Sequence, residues 1–564
     1  MNSYRLSAFI KASALTAALL GAPSVLFAQS YNPTVEVTRK YKGTLPETKK
    51  PDMEMAVPDS LLKLRLDFDY SVFETPYQGA YEFKPYRLDM KPQPDAYTGR
   101  QLYVKAGLGY AFRPELKAVY SPELKGGFQF DVHAFHDSFF GNFRQVFGSG
   151  RKYSGHDAKT TLGADGRVDF NNAILTFGVD WKGLGTKDTL CTKNYSALDF
   201  KARLRSNSDR EVYFLYDGGV DVRIGNDKYK NGAGNVKLSE VKLYGELGPV
   251  LALDRAIIVG VNSDIASYSG NFNSHVATVS VVPQWRMTIN DFKFGVGASM
   301  NFCAYGNKDV HLKDNHTNKP GLIRPDAYAS YEAVYERLIF YSTIKGGYDV
   351  NTYSSILERN HFFDSSYGRG RSALLNTTDV LYDFVLGAKG NIRSKFSFDV
   401  RGGFKSVDGA LFDAVYANGA AIVPGVVYTD CKQLYAQVDL GWKSEKWIAD
   451  GSLAFRNTSF EDVNVDLFAP SKVSGNLNVM YLFHSRAKAG VLADFASRRN
   501  VGSAVFDNVY IPGYLDLCLV GEYEFNRKIS FWARGENLLN RDIQRNFGHV
   551  EGGIGLIAGV VFSL

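Results

Sequence analysis

Histidines beside carboxylates are the residues here whose types and spacing could do chemistry. His133, His136 and Asp137 stand close together, and His156 and Asp157 follow beyond a glycine- and aromatic-rich link. An acid–histidine pair can activate water or a hydroxyl. In a strand, however, His133 and His136 differ by an odd number and point to opposite faces. Asp and His are also ordinary residues of polar loops, and the expectation is that the chain is not an enzyme. His311, Asp314 and His316 have a spacing that could bind a metal. Loop histidines at that spacing are usually solvated, so no metal site and no cofactor are expected. The run GGIGLIAG from Gly552 has the glycines of a dinucleotide fingerprint but lacks the helix that must follow. Four cysteines, Cys191, Cys303, Cys431 and Cys518, show no C-x-x-C pair. A disulfide among Cys191, Cys303 and Cys431 and free thiols both remain open.

With little chemistry of its own, the sequence is governed by the elements around these residues. Its 564 residues are 45% apolar, with 39 Phe, 34 Tyr and 54 Gly, and the mean hydropathy is −0.20. That balance fits a soluble all-β protein or a membrane barrel in which every second strand residue faces lipid. A formal charge of +6 with no long basic run excludes a nucleic-acid partner.

Strand-like stretches recur from Gln101 to the end. In FSFDVRGGF, Phe396, Phe398 and Val400 alternate with Ser397, Asp399 and Arg401, so one face is apolar and the other polar. The connections decide between barrel and sandwich. Long links (136–157, 183–194, 225–237, 351–378, 408–430) alternate with tight ones such as DFNN, NIRSK, KSEK, HSR and FNRK. Outer-membrane barrels have long outer loops and short periplasmic turns, whereas Greek-key sandwiches have no reason for that alternation. The predicted fold is all-β: a transmembrane antiparallel β-barrel of about 22 strands.

The other end of the chain is built differently. Arg5 and Lys11 precede an apolar stretch broken by Pro23 and Ser24 and followed by Ala28, the pattern of a removed signal peptide. Residues 1–28 are therefore read as signal peptide, 29–100 as an extended periplasmic segment, and 101–564 as outer-membrane barrel. The middle segment is rich in proline and lacks periodicity. Its Phe68, Tyr70, Phe73, Tyr77, Tyr81, Phe83 and Tyr86 supply dense aromatic contact area. They are candidates for docking in the lumen or on a partner protein.

The chain closes with ISFWARGENLLNRDIQ and then GGIGLIAGVVFSL. Ile529, Phe531 and Ala533 alternate with Ser530, Trp532 and Arg534, and the last strand stops at the carboxylate. With this ending and this strand count, the sequence resembles the barrel of TonB-dependent receptors. The Asn-Leu element at Glu536 to Asn540 and the terminal Gly559, Phe562 and Leu564 carry the resemblance, with Leu where a terminal Phe is commoner. The resemblance implies that those last residues are read by the barrel-assembly machinery. Val35 to Thr38 (VEVT) is similar to a TonB box, which makes TonB a candidate partner beside outer-membrane lipid. The 29–100 segment is too short and proline-rich for the globular plug of that family, so a plug-less barrel is expected. Something must then fill the lumen: the aromatic segment, infolded loops or another protein. Two functions follow as expectations. One is solute uptake or binding through the barrel and its outer loops. The other is a non-conducting scaffold or accessory subunit of an outer-membrane complex.

Overall fold

The last strand, Gly555–Ser563, pairs on one side with Ile529–Glu536 and on the other with the first strand, Leu102–Tyr110. Backbone bonds between Leu102 and Leu564 fasten the seam in both directions, at 3.1 and 2.9 Å. The result is a closed antiparallel barrel of 22 strands. The structure is a computed structural model. It describes residues 101–564 except 111, 123–126, 147–151, 190–191, 207–212, 231–233, 253, 308–321, 336, 364–376, 393–394, 419–420, 461–465, 485, 503–509 and 552.

Two-residue alternation produces the two faces. On the closing strand Leu556, Val560 and Leu564 are exposed on the outside, with Phe562 in the same row, while Ile557 and Val561 are buried inside. Phe531 is likewise outside and Trp532 inside. Val400 points outward, and fully buried Asp399 accepts a hydrogen bond from the Tyr341 hydroxyl at 2.7 Å. Gly559 lies on the inner face where a Cβ would fall 1.9 Å from the Ala106 carbonyl oxygen, so the close approach at the seam requires glycine.

Charge and one aromatic ring lock this seam from inside. The Trp532 ring lies over Gly107, where a Cβ would sit 2.4 Å from it. Lys105 Nζ stands 3.7 Å from the ring centroid, a cation–π contact. Glu115 receives Lys105 at 3.5 Å, Lys117 at 3.2 Å and Arg534 at 2.8 Å. Arg113 joins Glu536 and Glu551, which reach back to Arg534 and Arg545.

At one end the turns are tight, as between Ile289 and Phe292, where Asn290 adopts φ 51°; Asn tolerates this left-handed region better than most residues. At the other end several stretches expected as loops are strand. Phe128–Gln145 and Lys152–Asp169 have 18 residues each, and Phe396–Asn418 and Ala421–Lys443 have 23. Crossing a bilayer takes only about 9–11 residues. Local pattern cannot separate a polar strand above the membrane from a polar loop, because no lipid enforces an apolar face there. Cys303, Cys431 and Cys518 lie in strands as free thiols, so no disulfide joins Cys303 to Cys431.

Candidate functional site

The histidine–carboxylate groups do not converge. His133 faces the lumen between Asp165 at 3.3 Å and Asp180 at 3.0 Å. His136 is on the outer face, bonded to Thr160 at 2.8 Å and Ser138 at 3.0 Å. His156 stacks on Phe140 with centroids 5.5 Å apart, while its neighbour Asp157 turns inward and meets His361 at 2.8 Å. The aromatic set from Phe68 to Tyr86, Val35 to Thr38, Cys191, His311, Asp314 and His316 lie outside the described residues.

His361 belongs to the feature that organises the lumen. After the strand Leu338–Val350 the chain turns into the barrel as a short helix, Tyr353–Arg359. Thr352 caps it by accepting from the Ser355 N–H at 3.2 Å. Tyr353, Ile356 and Leu357 fall on one face and are buried, whereas Ser355, Glu358 and Arg359 are exposed. So short a helix is marginal alone, and docking holds it. The Tyr353 hydroxyl donates to Asp227 at 2.7 Å and lies 2.9 Å from the Tyr229 hydroxyl. Its backbone N–H donates to the Tyr268 hydroxyl at 3.0 Å, which in turn donates to Glu240 at 2.7 Å. Ser354 binds Glu240 through both its N–H and its hydroxyl. Burial pushes the Tyr353 phenol well above its ordinary pKa, keeping it a neutral donor.

The segment also reaches other walls. Glu358 lies 3.6 Å from Arg223. Arg359 donates to the Leu411 carbonyl at 3.2 Å and pairs with Asp413 at 3.1 Å. Those two residues sit on the upper part of the Phe396–Asn418 strand. Its register shifts between Val407 and Ala410 around Gly409, at φ 64°, and its outer part pairs with Asp466–Phe468. The loop carrying Ile543–Asn546 and His549–Glu551 closes in beside them. Asn546 accepts from the His361 N–H at 3.0 Å and donates to Asp157 at 3.2 Å. Phe362 stacks on His549 at 4.2 Å, and His549 Nδ1 is 2.7 Å from the Tyr153 hydroxyl.

Burial, with Lys193 nearby and Asp157 opposing, pushes the His549 imidazole down to about 4. Once undocked, this loop takes up a proton near pH 6.5, the ordinary histidine value. The contribution of His549 to docking is therefore complete above pH 6.5 and is lost as pH falls toward 4, an effect on the order of 3 kcal/mol. Hydrogen exchange of residues 543–551 is expected to accelerate across that window. His549→Phe is expected to flatten the profile; an unchanged profile in this variant would assign the effect to another group.

A barrel of this size has counterparts among solved structures. The FrpB iron transporter from Neisseria meningitidis (F5-1 variant) is similar with a TM-score of 0.62 at 10% identity, over 82% of each chain. Copper transporter OprC gives 0.59 at 12%, over 82% of this chain and 80% of that one. The ferripyoverdine receptor of the outer membrane of Pseudomonas aeruginosa gives 0.59 at 11%, over 82% and 72%. The fold is that of the TonB-dependent receptor barrel. No family model and no curated protein matches the sequence.

The infolded helix is not legible from local sequence, because Asn351 to Thr378 carries loop composition. Its signals are Thr352 as cap and the apolar spacing of Tyr353, Ile356 and Leu357. Neither says that the helix turns inward.

Proposed function

We propose that this chain is an outer-membrane barrel that binds a solute or takes it up through its lumen and outer loops, with residues 353–363 as the gate. The observation that carries this reading is the docking of that segment inside the lumen, where buried polar contacts to Asp227, Glu240 and Asp157 accompany the apolar packing of Tyr353, Ile356, Leu357 and Phe363. Likeness to transport barrels supports the reading at the level of fold. Catalysis has no part in it.

The test is solute flux in proteoliposomes, comparing the full chain with a variant whose residues 353–363 are replaced by a flexible linker. The variant is expected to pass small solutes that the full chain retains. Equal flux through both would remove the gate.

A second reading, a non-conducting accessory subunit, is favoured by the same infolded segment and by the dense aromatics from Phe68 to Tyr86 as a docking strip. A mild-detergent pull-down returning the barrel alone would take away its basis. In either reading Gly559, Phe562 and Leu564 address the chain to the barrel-assembly machinery, and Val35 to Thr38 is the place where TonB would engage.

A further inference from the structure

Beside the end of the infolded helix, at Arg359, lies a cavity of about 700 Å³. It is lined by the upper part of the Phe396–Asn418 strand and by residues around Pro470, Ser497, Pro512 and Gln544. Drug-sized ligands occupy cavities of about 300–1,000 Å³. Five cationic side chains line it, Arg359, Lys405, Arg456, Arg499 and Arg545, against two carboxylates, Asp349 and Asp413.

Most of these charges are already satisfied. Asp413 takes Arg359 at 3.1 Å and Arg499 at 2.9 Å. Arg545 is held by Asp516 at 2.8 Å and Glu551 at 2.9 Å. Two cations are left. Among the described residues Lys405 makes no ion pair, and Arg456 has only the Ser474 hydroxyl at 3.3 Å. Asp349 feels Lys242 as well as Lys405 and pairs with neither among the described residues.

The sheet register places the two cations on one inner face. Lys405 is opposite Gln433 on one side and Asp383 on the other, and Arg456 is opposite Tyr435 on the same strand as Gln433. Tyr435 is held down by its bond to Asp383 at 2.5 Å, and its ring covers Gly403. Gln433 is fixed by Thr458 at 2.9 Å. Lys405, Gln433 and Arg456 also line the adjoining cavity of about 260 Å³, which extends along the wall.

We infer that this lumen wall binds a solute carrying carboxylate or phosphate groups, with Lys405 and Arg456 engaging the anionic groups and Gln433 between them. The inference rests on the lumen being a solute compartment, as proposed above. Arg456 offers a planar fork suited to two oxygens, and Lys405 a point charge. Neither cation makes an ion pair among the described residues, although Lys405 stands opposite Asp383 and near Asp349, so their removal costs the barrel little.

The experiment is calorimetric titration of the full chain in detergent with inorganic pyrophosphate and with citrate. Trehalose serves as a neutral control, and each titration is run at low and high ionic strength. Salt-sensitive binding of both anions is expected, none of trehalose, and affinity weaker by at least about tenfold in Lys405→Gln/Arg456→Gln. The melting temperature of that double variant is expected to equal or exceed the parent's. Absence of anion binding, undiminished binding in the double variant, equal binding of trehalose, or a clear fall in melting temperature would each overturn the assignment. Equilibrium binding does not depend on flux. Flux without anion binding keeps the gate and removes this site, and binding without flux does the reverse.

Discussion

Tyr353→Ala is expected to release residues 353–363 from the lumen wall. The side chain is fully buried, and its ring packs against Tyr268, Phe272 and Phe363. Truncating a buried aromatic costs about 3–5 kcal/mol, or roughly two to three and a half decades in the docking equilibrium. The few backbone bonds within the segment, such as Asn360 N–H to the Ile356 carbonyl at 2.9 Å, do not compensate, because the helix spans only seven residues. Tyr353→Phe separates the contributions. It keeps the ring and loses the hydroxyl that donates to Asp227, at a cost of about 1–3 kcal/mol. Hydrogen exchange across 353–363 should therefore rank wild type, Phe and Ala in rising order. Single-channel recordings should show openings in the same order. If Ala exchanges as slowly as wild type, the other anchors at Glu240, Asp157 and Asp413 hold the segment without Tyr353, and its place as the central pin fails.

Glu115→Gln is expected to weaken the barrel seam by about 3–5 kcal/mol, the usual effect of removing one partner from a buried ion cluster. The carboxylate side chain is 3% exposed and receives Lys105, Lys117 and Arg534. Glutamine keeps the shape and removes the charge. Lys105, beside the Trp532 ring, and Arg534 then lose their nearest counterion in a space water reaches poorly, although Arg534 retains Glu536. Lys117→Gln is the contrast, since that side chain is 29% exposed and a screened pair contributes about 0–1 kcal/mol. Urea unfolding in detergent and the temperature at which the compact electrophoretic band disappears both read the difference. Equal midpoints for the two variants would show that hydrogen bonding of the first and last strands, and not this cluster, carries the closure.

Both predictions join residues remote in the chain, which is where sequence reading runs out. Tyr353 and its acceptor Asp227 are 126 residues apart, and Arg534 and Glu115 are 419 apart. Nothing local marks either pair. The same holds for Asp157, which looks like the partner of its neighbour His156 and instead holds His361. Adjacent strand residues point to opposite faces, so sequence neighbours are the least suited to meet. The spare cations show the same limit. Lys405 and Arg456 look like any two polar residues on alternating strands until the other charges around the cavity are matched with partners.

What the sequence by itself determined is the local and periodic part: strands with one apolar and one polar face, tight turns at one end, and a last strand fit to close a barrel. Alternation of side chains is a property of each strand, and Trp532, Asp399 and Phe531 obey it without reference to the rest of the molecule. The tertiary structure alone decided how high the strands rise, which link folds back into the lumen, and which charges remain over when the others have paired. Those outcomes come from contacts between distant segments competing for one enclosed space, and no single stretch of sequence encodes them.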